Sequence, residues 1–191
     1  MLPAPCILLA EAIVAKQGEE RGRAEDLDAT LALLRKRWDG HWIENPMCHQ
    51  GAPLFISAIL RKPQFAFDFA VALQLERWPQ RFKVVATDAS RGEAKELLLQ
   101  SKASFTLQFD GLSRSESDVV QSAAQLHAAM MQDWKPSRAK AASAMRHCDN
   151  QLQAAARLGI RQQSVSEALR AGHFKQMVAC EDAIRARLNT L

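Results

Sequence analysis

Six residues near the end of the chain, Arg161, Gln162, Gln163, Ser166, Glu167 and Arg170, carry side chains of the kinds that hydrogen-bond to base edges. Arginine can hold guanine through two bonds and glutamine can hold adenine, in a major groove wide enough for one helix. Their spacing puts them near or on one side of a helix whose other side carries Val165, Ala168 and Leu169. Ser164 falls near the start of that helix, where hydroxyls and backbone N–H groups meet phosphate. Lys135, Arg138, Lys140, Arg146, Arg157 and Lys175 flank it as candidate phosphate contacts. The chemistry expected of this set is recognition of double-stranded DNA, without a catalytic step.

Positioning such a face takes two short helices that cross steeply. Asp149 or Asn150 can cap the first helix, and Ala155 supplies the small residue needed at the crossing. Gly159 suits a left-handed position that ends the first helix. Leu158 and Ile160 bracket the turn and are expected to point inward, so that a recognition helix begins at Arg161. The same pattern can also serve only to pack three helices. Charge favours the nucleic-acid reading: Lys135 to Leu191 holds ten Lys/Arg against four Asp/Glu, or +6, while Met1 to Trp134 stands at −2. A basic segment attracts a polyanion without choosing its sequence.

The longer N-terminal part alternates strand and helix patterns. Cys6 to Val14 reads as a buried strand and Ala24 to Trp38, with Leu27, Leu31, Leu34 and Trp38 at helical spacing, as an amphipathic helix. Pro46, Gly51 and Pro53 limit any strand near Met47 to a short one at an edge. A helix is expected over Gln64 to Trp78, a strand over Phe82 to Ala86, a helix over Glu93 to Lys102 and a strand over Ser104 to Leu112. A further helix, with Ser115 as its N-cap, should run to about Trp134. The expected organisation is α+β: an α/β sandwich over 1–134 with a sensing or dimerising role, then an all-α helix-turn-helix domain over 135–191, joined near Pro136.

Gln151, Ala154-Ala155, Leu158-Gly159-Ile160, Gln162, Ser164-Val165-Ser166 and Leu169 resemble the helix-turn-helix of bacterial transcriptional regulators, with a spacing similar to the sigma-factor region-four type. An α/β domain followed by such a unit also resembles the SatD family. That resemblance implies a ferredoxin-like or cyclase-like first domain, a strand ending in an acidic residue and a Gly-Asp-Glu-Phe-like turn. Glu11 stands at the place of the first acid, whereas Gly51-Ala52-Pro53-Leu54 keeps the glycine and has neither carboxylate.

Other constellations point to blander roles. Cys48-His49 and His147-Cys148 have zinc-binding side chains, but adjacent ligands rarely converge on one ion, so no metal is expected. His147 and Cys148 fit the end of a helix, where a histidine interacts favourably with the dipole. Nucleophile elbows, phosphate-binding glycine loops and His-Glu-x-x-His patterns are absent from the sequence, so neither catalysis nor a cofactor is expected. Asp88 and Asp110 fall at predicted strand ends, where such residues bind ligands or cap turns. Phe65, Phe67, Phe69 and Trp78 suit a core better than a pocket. Met177, Cys180 or Glu181, Ile184 and Leu188 form one edge of a last helix, Phe174 to Leu191, which could cover the preceding helices or pair the chain into a homodimer. The four cysteines lack disulfide-scaffold spacing and are expected to be reduced. No run approaches the roughly 18 apolar residues of a membrane span, and the apolar start lacks a basic leader, so a cytoplasmic protein is expected. The alternative function is a nucleotide- or metal-handling α/β domain whose helix-turn-helix docks a protein partner.

Overall fold

The computed structural model describes residues 5–13, 20–49, 51 and 53–191, with side chains of the first helix described from residue 27 onward. It is an α+β fold with a five-stranded mixed sheet and, among the described residues, eight α-helices. β1 (Cys6–Ile13), β2 (Trp42–His49), β3 (Phe55–Leu60), β4 (Arg81–Thr87) and β5 (Phe105–Gln108) lie in the order β2-β3-β1-β4-β5. β1 is antiparallel to both of its neighbours, β3 is antiparallel to β2, and β4 is parallel to β5.

The period of two divides each central strand between two cores. Leu8 and Ala10 of β1, Ile56 and Ala58 of β3, and Val84 and Ala86 of β4 enter one large core. That face is covered by α1 (Glu20–Arg37) and α2 (Ala66–Glu76), with Leu27, Leu31, Leu34 and Trp38 of α1 buried as their spacing predicts. On the opposite face Leu9 and Val85 meet Ala94 and Leu98 of α3 (Arg91–Gln100) in a small separate core. The strand expected over Cys6 to Val14 is present as β1, and Val14 lies outside the described residues.

Several boundaries differ from expectation for identifiable reasons. α3 starts at Arg91 rather than Glu93, because Ser90 caps it and Glu93 returns the bond to the Ser90 backbone. The same reciprocal box sets the start of α4 (Arg114–Gln132): Ser113, not Ser115, is the N-cap, and Glu116 closes the box. The Ser113 hydroxyl and backbone N–H, with Arg187, hold the Glu116 carboxyl down at about 2. The helix expected from Gln64 opens with a 3₁₀ turn, Pro63–Phe65, and ends at Glu76. β2 is an edge strand as expected, but eight residues long; its pairing with β3 shifts register on both sides of Glu44, which accommodates Pro46. β3 was not expected from the sequence.

The remaining helices are α5 (Pro136–Met145), α6 (Gln151–Leu158), α7 (Gln162–Ala171) and α8 (Phe174–Leu188). Residues 66–75 of α2 are buried on every side, because α1 and the sheet lie on one flank and α5 and α8 on the other. The large core therefore runs without a break from β1 to Leu188 of α8. No helix among the described residues is long and apolar enough to cross a membrane.

Candidate nucleic-acid interface

α5, α6 and α7 pack against one another in pairs. Asn150 caps α6, its side chain accepting from the Gln153 N–H. Ala154 and Ala155 are buried at the crossing, and Gly159 ends the helix at φ 66, the left-handed region expected of it. Its N–H and that of Ile160 close onto the carbonyls of Ala156 and Ala155. Leu158 is half-buried, but Ile160 is 46% exposed and does not point inward as expected: the chain leaves the glycine outward before α7 begins.

α7 turns Val165 and Leu169 into the core, while Ala168 is half-buried. Arg161 is its N-cap rather than its first turn, and its side chain makes no capping bond. Arg161, Gln162, Gln163, Ser164, Glu167 and Arg170 are exposed and Ser166 is half-buried, so the structure brings the expected base-reading set onto one solvent face. Within it Gln163 donates to Glu167 across one helical turn at 3.1 Å. Among the described residues neither Arg161 nor Arg170 has a carboxylate partner.

The flanking cations separate into two groups. Lys135, Lys140, Arg157 and Lys175 are exposed, and Arg138 is half-buried with its guanidinium 3.5 Å from the Asp133 carbonyl. Arg146 faces inward: its side chain is only 13% exposed and donates to Glu181 of α8 at 2.6 Å. His127 of α4 donates to the same carboxylate oxygen at 2.7 Å. Burial alone would raise the Glu181 carboxyl, but the bonds from His127 and Arg146, with the Arg146 charge, hold it down at about 2. An arginine fixed in this way does not reach a phosphate.

The three-helix unit and α8 are tied to the rest of the chain by further polar contacts. Glu76 of α2 accepts from both Ser143 and His147 at 3.0 Å. Arg185 of α8 grips Asp68 of α2 with two bonds, at 2.6 and 2.8 Å, and holds Asp182 at 2.6 Å. At the end of α7, Gly172 lets the backbone approach the Trp134 ring, which a Cβ would meet at 3.3 Å.

The other residues singled out by sequence lie apart. Glu11 pairs with Lys83 of the neighbouring strand at 3.3 Å, on the small-core face. Asp88 and Asp110 come together because β4 and β5 are parallel and end side by side; Asp88 accepts from the Asp110 N–H at 3.2 Å. His49 contacts Ser57 at 2.7 Å and His147 contacts Glu76, each with a local polar partner. Phe67 and Phe69 are core residues, and Phe65 and Trp78 pack against the core. The cysteines are unpaired, with Cys6 buried. Comparison of the chain with protein families, with functionally described proteins and with solved structures finds no match.

Proposed function

We propose that the protein is a sequence-specific DNA-binding transcriptional regulator, in which α6 and α7 form a helix-turn-helix and α7 is the recognition helix. The observation that carries this reading is the division of α7: Val165 and Leu169 anchor it, while Arg161, Gln162, Gln163, Glu167 and Arg170 stand exposed along the other side. A helix anchored on one stripe presents its polar stripe at a fixed angle, which is what base reading in a groove requires. Lys135, Arg138, Lys140, Arg157, Ser164 and Lys175 supply the phosphate contacts, and Arg146 is left out of that set.

Residues 135–191 form the DNA-binding domain in this reading, and 1–134 a ferredoxin-like sensing or dimerising domain. The order β1-α1-β2-β3-α2-β4, with β1 between β3 and β4, supports the ferredoxin-like description. The motif resemblance to bacterial regulators and to the SatD family is consistent with it, and a cytoplasmic location and pairing of two copies on two half-sites go with the same reading. The test is selection of bound sequences from a random duplex library at low salt. Recovery of a common half-site supports the reading, and failure of the protein to retain any duplex sinks it.

A further inference from the structure

The two faces of the sheet are unequally covered. α1 and α2 close one, whereas among the described residues α3 alone lies on the other, and beside it is a cleft of about 540 Å³. Its floor is largely apolar, made by Ile7, Leu9, Phe55 and Ile59 of two adjacent strands and walled by Leu98 of α3, with the hydrogen-bonded Ser57 and His49 at one side. The volume lies within the range of roughly 300–1,000 Å³ that holds small organic ligands.

The charges at the mouth select the kind of ligand. Glu11 is matched by Lys83 and Glu44 by Arg91. Lys95, one helical turn beyond Arg91 and lining the same cleft, has no carboxylate partner among the described residues. Among the described residues Lys95 is thus the one cation of the cleft lining without a carboxylate. We infer that this cleft binds a small amphipathic carboxylate, with its hydrocarbon body on Ile7, Phe55 and Ile59 and its charge at Lys95. The ammonium supplies charge selection, because an anion at this rim is attracted and a cation repelled, while burial of apolar surface supplies most of the affinity. The inference rests on the α/β part alone and does not depend on the DNA reading.

Octanoate, 1-octanol and octylammonium share one tail and differ in head-group charge, so calorimetric titration of the full chain with each is the test. Saturable binding at one site is expected for octanoate, with octanol roughly fivefold weaker and octylammonium weaker still. Lys95→Gln lies on the exposed side of α3 and leaves the fold intact; it should bring octanoate down to the level of octanol and leave octanol unchanged. Ser57→Phe should fill the cleft and remove binding of all three. Absence of saturable octanoate binding, or octanoate binding that Lys95→Gln does not change, overturns the inference. So does sedimentation showing a dimer that Leu99→Glu splits, since a second copy would then cover this face.

Discussion

α7 and α8 are consecutive helices that each bury an apolar stripe, yet most of their charged residues behave oppositely. On α8, Glu181 is bonded to His127 and Arg146, Arg185 to Asp68 and Asp182, and Arg187 to Glu116 at 2.8 Å. On α7 and the helices before it, Arg157, Arg161, Arg170, Lys135 and Lys140 have no carboxylate partner among the described residues, and neither does Lys175 in the first turn of α8. The difference is where each helix lies. α8 packs against α2 and α4, so its polar groups meet those of other elements and must be matched to be buried. α7 lies at the outside of its three-helix unit and keeps a solvent face. A cation within a structural network is unavailable to a ligand, whereas the cations and amides of α7 face solvent.

The largest effect should come from α8. Glu181→Ala leaves Arg146 and His127 buried without their anion, and chemical denaturation should show a drop in stability of about 3–5 kcal/mol, with α5 and α8 losing protection from hydrogen exchange first. Acid titration sharpens the same point. Because the folded-state pKa of Glu181 is lowered from 4.5 to about 2, its contribution is complete above the unfolded value and is lost as pH falls through about 2. Glu181→Gln should remove that part of the acid dependence. An unchanged acid limb would mean that the carboxylate is not matched as described.

On α7 the expected pattern is reversed. Arg161→Ala combined with Gln162→Ala should leave stability within about 0.5 kcal/mol of the parent but relax DNA sequence choice by about 1–3 kcal/mol for each base that is no longer read. A destabilisation as large as that of Glu181→Ala would erase the contrast between the helices. Gly159→Ala should cost about 1–2 kcal/mol, because a Cβ is strained at its positive φ even though nothing crowds it. The smallest effects belong to the flanks. Lys140→Ala should weaken all duplexes alike and lower the salt slope by about one, whereas Arg146→Ala should act mainly on stability.

Much of the fold was legible where pattern and position coincide. The heptad-like apolar row of α1, the glycine ending α6 and the buried stripe of α7 are local consequences of helix periodicity. The capping boxes at Ser90 and Ser113 were also written in the sequence, as serine followed three residues later by glutamate. The starts expected at Glu93 and after Ser115 each fall two positions late of these boxes. β3 escaped notice because Ser57 and Ala58 weaken its contrast and prolines flank it at Pro53 and Pro63. Its alternation becomes plain only when Ile56 and Leu60 face a core and Phe55 and Ile59 face a cleft.

The site divides in the same way. Sequence alone determined which residues of α7 are turned to solvent and which are buried, because a period of 3.6 residues fixes the face of each. It also determined the excess of positive charge that surrounds them. Only the tertiary structure decided that Arg146 turns inward to Glu181, that Ile160 turns outward, and that a cleft lies beside Lys95 among the described residues. These outcomes depend on which elements from distant parts of the chain come to lie against each residue, and local periodicity carries no record of that.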